Sequence, residues 1–376
     1  MCTSYKIMKA FRKIVISTIR IIKISIFITK NISLTTMGKL SLLKYASTRR
    51  QYGANGTQWV KGNLMLIQKV LFIIVLSAIS SGIIAQNNDV EVTYTENSKG
   101  GYSYYAENRS NFDYIIKLTF KSSYTLKSST TLPYIGEIKK GKNYLFDVQP
   151  ASENMRANYA YTYSYNEGGL NIKPQKDFVY LLPVGEGKVT ESRELALFRI
   201  NDKDEPPLNW YALMFTTAMH DTIYAVRRGI VLKVKGDANL EYDHYQLTNK
   251  DNSVTIKHED GSIAYYNVLD KVLIKEGKQV EAGEPIALAG GEKYESGPHI
   301  RLAIYYYIFD KEKSMTAEKV YVKREYITPF FYTKDNPSVI LKNRVKYVGI
   351  QPPAIITKEM SKREIKKWEK TKGIKN

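Results

Sequence analysis

The sequence has 376 residues, of which 43% are hydrophobic and 25% are charged, and its formal net charge is +19. This length and hydrophobic content suffice for two domains of ordinary size, each with its own core. The positive charge is uneven, because residues 1–64 hold 12 lysines and arginines and no acidic residue, and residues 358–376 add a net +5. The regions between these basic ends are close to neutral, which removes most of the support for a nucleic-acid-binding domain.

The N-terminal region has the pattern of a leader followed by a secretory signal. Residues 1–64 contain isoleucine-rich patches without a steady period, so we interpret them as a non-native or disordered leader. Residues 65–85 combine a short basic start, an apolar run and small residues near the end, which is the layout of a signal peptide. We expect cleavage between Ala85 and Gln86, in a protein that is secreted, periplasmic or attached to the cell envelope. The alternative is an uncleaved anchor, although the apolar run is short for a span of about 20 residues.

Residues 86–185 have the pattern of a β-sandwich. Strand-like runs recur about every ten residues, and the one cysteine, Cys2, precedes them, so no disulfide is expected in this domain. In residues 159–165, four alternating tyrosines share one face of a predicted strand. This row has the composition of a sugar-stacking platform, but tyrosines covering a half-buried sheet explain it more simply. We predict an immunoglobulin-like β-sandwich, and an all-β fold class for the whole chain.

Residues 228–309 are punctuated by glycines between pairs of apolar residues. The glycines that set this rhythm are Gly277, Gly283, Gly290, Gly291 and Gly297. Short strands joined by tight turns need this pattern, because glycine adopts the left-handed conformations of turns at little cost. The pattern predicts a small, strongly curved β-domain.

Four phrases occur in a distinctive order along this second region. They are RRGIVLKV at residues 227–234, the I-x-H-x-D-G hairpin within residues 254–266, a V-x-x-G-x-x-V-x-x-G-x-x-I run, and S-G-P-H-I at residues 296–300. In this order and spacing the region resembles the lysostaphin-like, or LytM-type, peptidoglycan metallopeptidases. The resemblance implies a barrel-sandwich-like β-domain over residues 190–335. It also implies zinc chemistry, in which three protein ligands hold a metal that lowers the pKa of a bound water to about 7.

The residues that carry this chemistry in the resembled family are mostly replaced. The ligand aspartate of its A-L-D-F phrase falls on Met214, and the segment DKDEPPLNWY upstream lacks the partner histidine. The catalytic histidine of the Y-x-H-L phrase falls on Val268. In the last phrase His299 is kept, but the second histidine, a zinc ligand, is Arg301. A permanently charged guanidinium does not suit the seat of a dication, so we predict no metal site, no cofactor and a fold kept after its catalysis was lost.

The chain has three further histidines, His220, His244 and His258. His244 lies in a loop that borders the groove in the resembled family, so the predicted binding groove comprises His244, His258, His299 and Arg301. His258 has packing or a turn hydrogen bond as its default role, and His220 aligns with a turn glycine. A zinc site built from three scattered imidazoles would require a demanding geometric coincidence.

Residues 336–376 are predicted to form an edge segment and a short basic helical tail. Ser361 and Glu364 have the spacing of a capping box, and IKKWEKTK continues the helical pattern. The tail has the composition to contact an anionic surface such as a membrane, but we predict that it is a frayed, solvated terminus.

The function predicted from these patterns is a secreted cell-envelope protein with a non-catalytic LytM-type domain. It would bind cell-wall peptide or regulate a partner hydrolase, with Arg301 holding a carboxylate. The expected partners are peptidoglycan or a cell-wall hydrolase, no nucleic acid, and the membrane only transiently through the signal or weakly through the basic tail. The alternative is an active zinc-dependent peptidoglycan endopeptidase with non-standard ligands, and a third possibility is a purely structural spacer.

Overall fold

The chain is represented by a computed structural model. It describes residues 88–98, 100–121, 126–152, 160–197, 206–236 and 251–372. The proposed leader and signal peptide therefore lie outside the described residues, as does His244. The helices found within the described ranges are too short or too polar to cross a membrane.

The first part of the described chain is a two-sheet β-sandwich, which confirms the all-β expectation. One sheet has the order β1-β2-β6-β4 and the other the order β5-β3-β7. The strands are β1 (Val90–Glu96), β2 (Tyr102–Asn108), β3 (Tyr114–Phe120), β4 (Leu126–Ser128), β5 (Tyr134–Ile138), β6 (Gly141–Pro150) and β7 (Tyr161–Glu167).

Three of the four tyrosines in the predicted row cover the core of this sandwich, and the fourth, Tyr159, lies outside the described residues. Tyr161, Tyr163 and Tyr165 are half-buried on β7 and pack against the apolar residues of the sandwich core. The hydroxyls of Tyr161 and Tyr163 each donate a hydrogen bond of 3.4 Å to the carbonyls of Val92 and Val90. These contacts support the sheet-covering interpretation over a sugar platform.

The second part of the described chain is built around a large curved sheet. Its strands and helix are β8 (Val179–Leu181), β9 (Val189–Glu194), β10 (Leu213–Thr216), β11 (Thr222–Tyr224), β12 (Gly229–Lys235), β13 (Asn252–Lys257), β14 (Ile263–Val272), β15 (Gln279–Val280), β16 (Pro285–Ala289), β17 (His299–Phe309), α1 (Lys311–Thr316), β18 (Val322–Tyr326), β19 (Phe330–Tyr332) and β20 (Val345–Val348). The sheet follows the path β15-β12-β13-β14-β17-β10-β9-β20, with β11, β16 and β18 attached beside it. β8 pairs in parallel with β19 in a separate small sheet.

The two faces of the central strands β10, β14 and β17 have different neighbours. Successive residues of a strand point to opposite faces. Leu213, Ile300 and Leu302 on one face belong to the core of the curved sheet. Ala212 and Ala303 on the other face pack against the core of the sandwich. Met214 and Arg301, two positions of the predicted site, also lie on this second face, beyond the area that the sandwich covers.

A buried lysine connects the sandwich to α1. Lys117 on β3 is 3% exposed, and its Nζ donates to the carbonyl oxygens of Ser314 at 2.6 Å, Met315 at 3.2 Å and Ala317 at 2.6 Å. The last carbonyls of a helix lack partners within the helix and attract a cation. Lys117 therefore caps the C-terminal end of α1.

Residues 178–184, which end the predicted sandwich domain at residue 185, pack in the core of the curved sheet. Tyr180 and Leu182 are fully buried in the core of the curved sheet, and β8 pairs with β19 rather than with a strand of the sandwich. The apolar pattern of the DFVYLLP segment indicates a buried strand, and the resemblance of residues 177–188 to the entry into a peptidase-like domain agrees with this packing. Residues 178–184 consequently belong with the second region.

The C-terminal segment contains α2 (Pro353–Ile356) and α3 (Lys362–Lys372). The predicted capping box forms, because the amide of Ser361 donates to Glu364 at 2.7 Å and the amide of Glu364 lies 3.4 Å from the Ser361 hydroxyl. Arg228 binds the Glu364 carboxylate at 2.5 Å and the carbonyl of Glu359 at 2.6 Å. Trp368 packs on a small cluster formed around Leu181. The expectation of a frayed, solvated terminus is therefore wrong for this segment, which is held by ion pairs that local pattern does not reveal.

Candidate functional site

Strand register places Met214 and Arg301, two of the replaced positions of the resembled family's zinc site, side by side on one face. Met214 on β10 lies directly opposite Arg301 on β17 and opposite Arg193 on β9. Arg301 lies opposite Asn267 on β14. Directly opposed residues of antiparallel strands share a face, with Cβ atoms about 4.5–5.5 Å apart. The row Arg193–Met214–Arg301–Asn267 thus crosses four neighbouring strands on one face.

His299 lies beside this row and has both ring nitrogens engaged. Its side chain is buried, and Nδ1 lies 2.7 Å from the carbonyl of Gly297, to which it donates. This tautomer leaves Nε2 as an acceptor, and Nε of Arg301 donates to it at 3.3 Å. Burial lowers the pKa of His299, so the imidazole is neutral. No lone pair of His299 remains for a metal ion.

A glycine turn presses against His299. Gly291 has a φ of +89°, and a Cβ at this position would lie 2.9 Å from the His299 amide nitrogen. Both the left-handed conformation and the close approach require glycine here. Gly291, one of the regularly spaced glycines in the sequence, thus helps to position His299.

Arg301 is held by an aromatic ring and leaves part of its guanidinium unpaired. The guanidinium carbon lies 4.7 Å from the ring centroid of Tyr294, whose hydroxyl donates to Asp251 at 2.6 Å. Burial and the carboxylate of Asp251 raise the pKa of Tyr294, so the phenol stays a donor. Within the described part of the chain, the terminal amino groups of Arg301 have no hydrogen-bond partner. Sequence reasoning missed Tyr294 and Asp251.

The two other replaced positions contribute apolar bulk. Met214 is 4% exposed and Val268 is 2% exposed. Val268 has a φ of +64°, which is a strained conformation for a β-branched residue. Its carbonyl accepts a hydrogen bond of 3.1 Å from the amide of Gly290.

The donor set at this site does not fit zinc. Zinc requires three or four nitrogen, sulfur or carboxylate ligands around one point. Here the corresponding positions hold a thioether, an aliphatic side chain, a guanidinium and an imidazole with no free lone pair. Across the ranges that the structure describes, no three His, Cys, Asp or Glu side chains are grouped so as to hold a metal ion.

The structure separates His258 from the groove predicted for it. The amide of His258 bonds to the carbonyl of Ser262, whereas Arg301 lies opposite Asn267, five residues further along the chain, and His299 lies two residues beyond Arg301 in the same direction. Five residues of strand alone separate the two positions by roughly 16 Å. The predicted grouping of His258 with His299 and Arg301 is therefore wrong, because residue type alone does not reveal which end of a strand a histidine occupies.

His258 and His220 have structural roles in the described chain. His258 is buried, its Nδ1 lies 2.7 Å from the Arg228 carbonyl, and burial together with the charge of Arg227 lowers its pKa to about 4. His220 is exposed, with a φ of +61° that matches its alignment with a turn glycine, and its ring lies 3.0 Å from Asp270.

The comparison with protein families agrees with this fold. Residues 209–316 match Peptidase family M23, so the chain contains a LytM-type M23 domain. A search of curated proteins finds no match.

Several solved structures resemble part of the chain. The catalytic domain of lysostaphin from Staphylococcus simulans shares 22% identity, over 25% of this chain and 65% of that domain, with a TM-score of 0.21. The catalytic domain of the prophage-encoded M23 protein EnpA from Enterococcus faecalis shares 17% identity, over 31% of this chain and 81% of that one, with a TM-score of 0.22. A chain of the SpoIIQ–SpoIIIAH pore-forming complex shares 18% identity, over 35% and 85%, with a TM-score of 0.26. The chain thus spans somewhat less than two thirds of the lysostaphin catalytic domain.

Proposed function

We propose that the M23 domain of this chain binds a carboxylate-bearing peptide of the bacterial cell envelope without hydrolysing it. The observation that carries the proposal is Arg301, which occupies a zinc-ligand position with its terminal amino groups unpaired by the described residues. The peptide would belong to the cell wall, or to a partner hydrolase that the domain regulates. The signal-like residues 65–85 support a secreted or envelope location.

The setting of Arg301 suits a carboxylate. A guanidinium binds a carboxylate through two parallel hydrogen bonds, which gives both strength and orientation. The contact of Nε with His299 and the stacking on Tyr294 fix the plane of the guanidinium before any ligand arrives. Less conformational freedom is then lost on binding, which favours affinity.

The same arrangement opposes hydrolysis. A peptide bond is cut in this family by a metal-activated water, and the donor set here does not fit the metal. His299 would be the remaining candidate base, but its Nε2 accepts from Arg301 and its pKa is lowered by burial. Neither an activated water nor a free base is available in the row.

Metal analysis tests the loss of catalysis. We expect the purified chain, incubated with zinc and dialysed, to retain far less than about one zinc per molecule, and to leave isolated cell walls intact. A chelator should change neither its melting temperature nor the turbidity of the walls. Stoichiometric zinc together with chelator-sensitive wall lysis would establish the alternative of an active endopeptidase.

Binding of soluble wall peptides tests the role of Arg301. We expect Arg301→Gln to weaken this binding at least about tenfold, because it removes the charged donors. Arg363→Gln on the exposed face of α3 is the matched control, since it removes the same charge elsewhere. Equal affinities for the Arg301 variant and the unchanged chain would refute the proposed contact.

A further inference from the structure

We infer that the site recognises the free C-terminal end of a peptide, with the terminal carboxylate on Arg301 and the last backbone N–H on Asn267. This inference rests on the proposed function and names the ligand group that the site would select.

Asn267 supplies the first observation. Its side-chain Oδ1 is shielded from solvent and has no hydrogen-bond partner among the described residues. Buried polar atoms in folded proteins are nearly always paired, so an exception calls for an explanation. An amide oxygen is an acceptor only, and the missing partner must therefore be a donor.

Arg301 supplies the second observation, and its position supplies the third. Its terminal amino groups are donors without an acceptor in the described chain. Asn267 and Arg301 are direct cross-strand partners, so their side chains start about 5 Å apart on one face. Among the residues that the structure describes, this face thus holds an unpaired acceptor beside unpaired charged donors.

The chemical complement of this pair is a donor directly beside an anion. At the end of a peptide the last N–H and the carboxylate are attached to the same Cα, so both lie within reach of neighbouring side chains. The carboxylate of an internal Asp or Glu is separated from its backbone N–H by additional rotatable bonds. An inorganic anion such as sulfate offers no donor to Asn267.

The surrounding charges are compatible with an anionic ligand. The carboxylate of Asp251 accepts a hydrogen bond from the hydroxyl of Tyr294. Arg193, in the same row, pairs with Glu191 through its Nε at 2.7 Å, and its side chain is 40% exposed. Arg193 therefore adds attraction at the rim, and Arg301 remains the direct contact.

Three short peptides separate terminal recognition from charge. The probes are acetyl-Ala-Ala-Ala with a free carboxylate, the same peptide with a C-terminal carboxamide, and acetyl-Ala-Glu-Ala carboxamide, titrated calorimetrically into the full chain. The first and third carry the same net charge. We expect the free acid to bind at least about tenfold more tightly than either of the others.

Variants assign the two contacts. Asn267→Leu keeps the approximate size and removes the acceptor, so it should weaken the free acid about fivefold or more without affecting the Glu peptide. Asn267→Ala serves the same purpose if the Leu variant melts early. Arg301→Gln should weaken both carboxylate peptides, and thermal unfolding of each variant controls for misfolding.

The outcomes distinguish this inference from the proposed function. Equal, Arg301-dependent binding of the free acid and the Glu peptide would overturn terminal recognition but leave the carboxylate site in place. Undiminished binding of the free acid by both Asn267 variants would likewise overturn it. If neither carboxylate peptide nor any wall peptide binds, both proposals fail.

Discussion

The two ends of the curved sheet each hold an arginine stacked on an aromatic ring. At one end Arg227 lies 3.7 Å above Phe178, and at the other Arg301 lies 4.7 Å above Tyr294. A buried histidine accompanies each arginine, with its Nδ1 2.7 Å from a backbone carbonyl. The two sites thus share residue types and local geometry.

They differ in what the guanidinium contacts. Arg227 is 2% exposed and binds Glu359 at 2.7 Å and Asp260 at 2.8 Å. Arg301 contacts only a neutral imidazole and a ring within the described chain. A buried guanidinium paired with two carboxylates holds segments of the fold together, whereas one that lacks an anion has its charge available for a ligand. The partners of an arginine therefore indicate its role better than its burial.

The largest expected effect is a difference in stability between variants of Arg227 and Arg301, and its absence would contradict the contrast between the two arginines. Arg227→Met removes the ion-pair partner of two carboxylates, on Asp260 and Glu359, that are only 13% and 14% exposed, and should lower the free energy of unfolding by about 3–5 kcal/mol. Arg301→Met leaves no carboxylate without its ion-pair partner and should lower the free energy of unfolding by less than about 1 kcal/mol. Urea denaturation of the two variants measures the difference. Similar losses would mean that the two arginines have the same role.

A second prediction concerns acid stability and sharpens the comparison of the two histidines. The pKa of His258 is lowered from 6.5 to about 4, so the unfolded chain takes up a proton at a pH where the folded chain does not. This contribution to stability is complete above pH 6.5 and declines as the pH falls to 4, by up to about 3 kcal/mol. Denaturation at pH 7 and pH 4.5 should show the loss.

The matched variant is His258→Asn, whose amide can still donate to the Arg228 carbonyl. It should reduce the pH dependence while retaining the hydrogen bond. His299, whose pKa is also lowered by burial, should leave a remaining slope of the same sign. A slope unchanged in His258→Asn would show that His258 is not the group that titrates.

The smallest expected effect lies at the Arg301 end of the sheet. Val268→Gly removes about 1.5–2 kcal/mol of apolar burial but relieves a left-handed conformation that costs a comparable amount. The net change should be below about 1 kcal/mol. Val254→Gly, at a buried position of β13, has no such compensation and should cost about 3 kcal/mol. Equal losses would show that Val268 is unstrained.

The family and the all-β fold were predictable because their signals are local. Turn glycines such as Gly291 and the phrase around His299 can be read within a few residues. Asn267, Tyr294 and Asp251 were not identified, because strand register brings them to Arg301 from distant parts of the sequence. Asn267 had one usable signal, since it alternates with the core residue Tyr266 and so had to face away from that core.

The role of the C-terminal segment was also beyond local pattern. Ser361 and Glu364 predicted a helix, but nothing near them in the sequence indicates that Glu359 forms an ion pair with Arg227, more than a hundred residues earlier. Ion pairs of this separation follow from the completed sheet, since only the fold brings the two segments together.

The pairing of Arg227 with Glu359 also bears on how the domain is made. During synthesis the strands around Arg227 leave the ribosome long before Glu359 is translated, so for that interval a guanidinium destined for burial has only Asp260 to neutralise it. The curved sheet can therefore reach its final stability only after translation has passed Glu359 and that residue has cleared the exit tunnel.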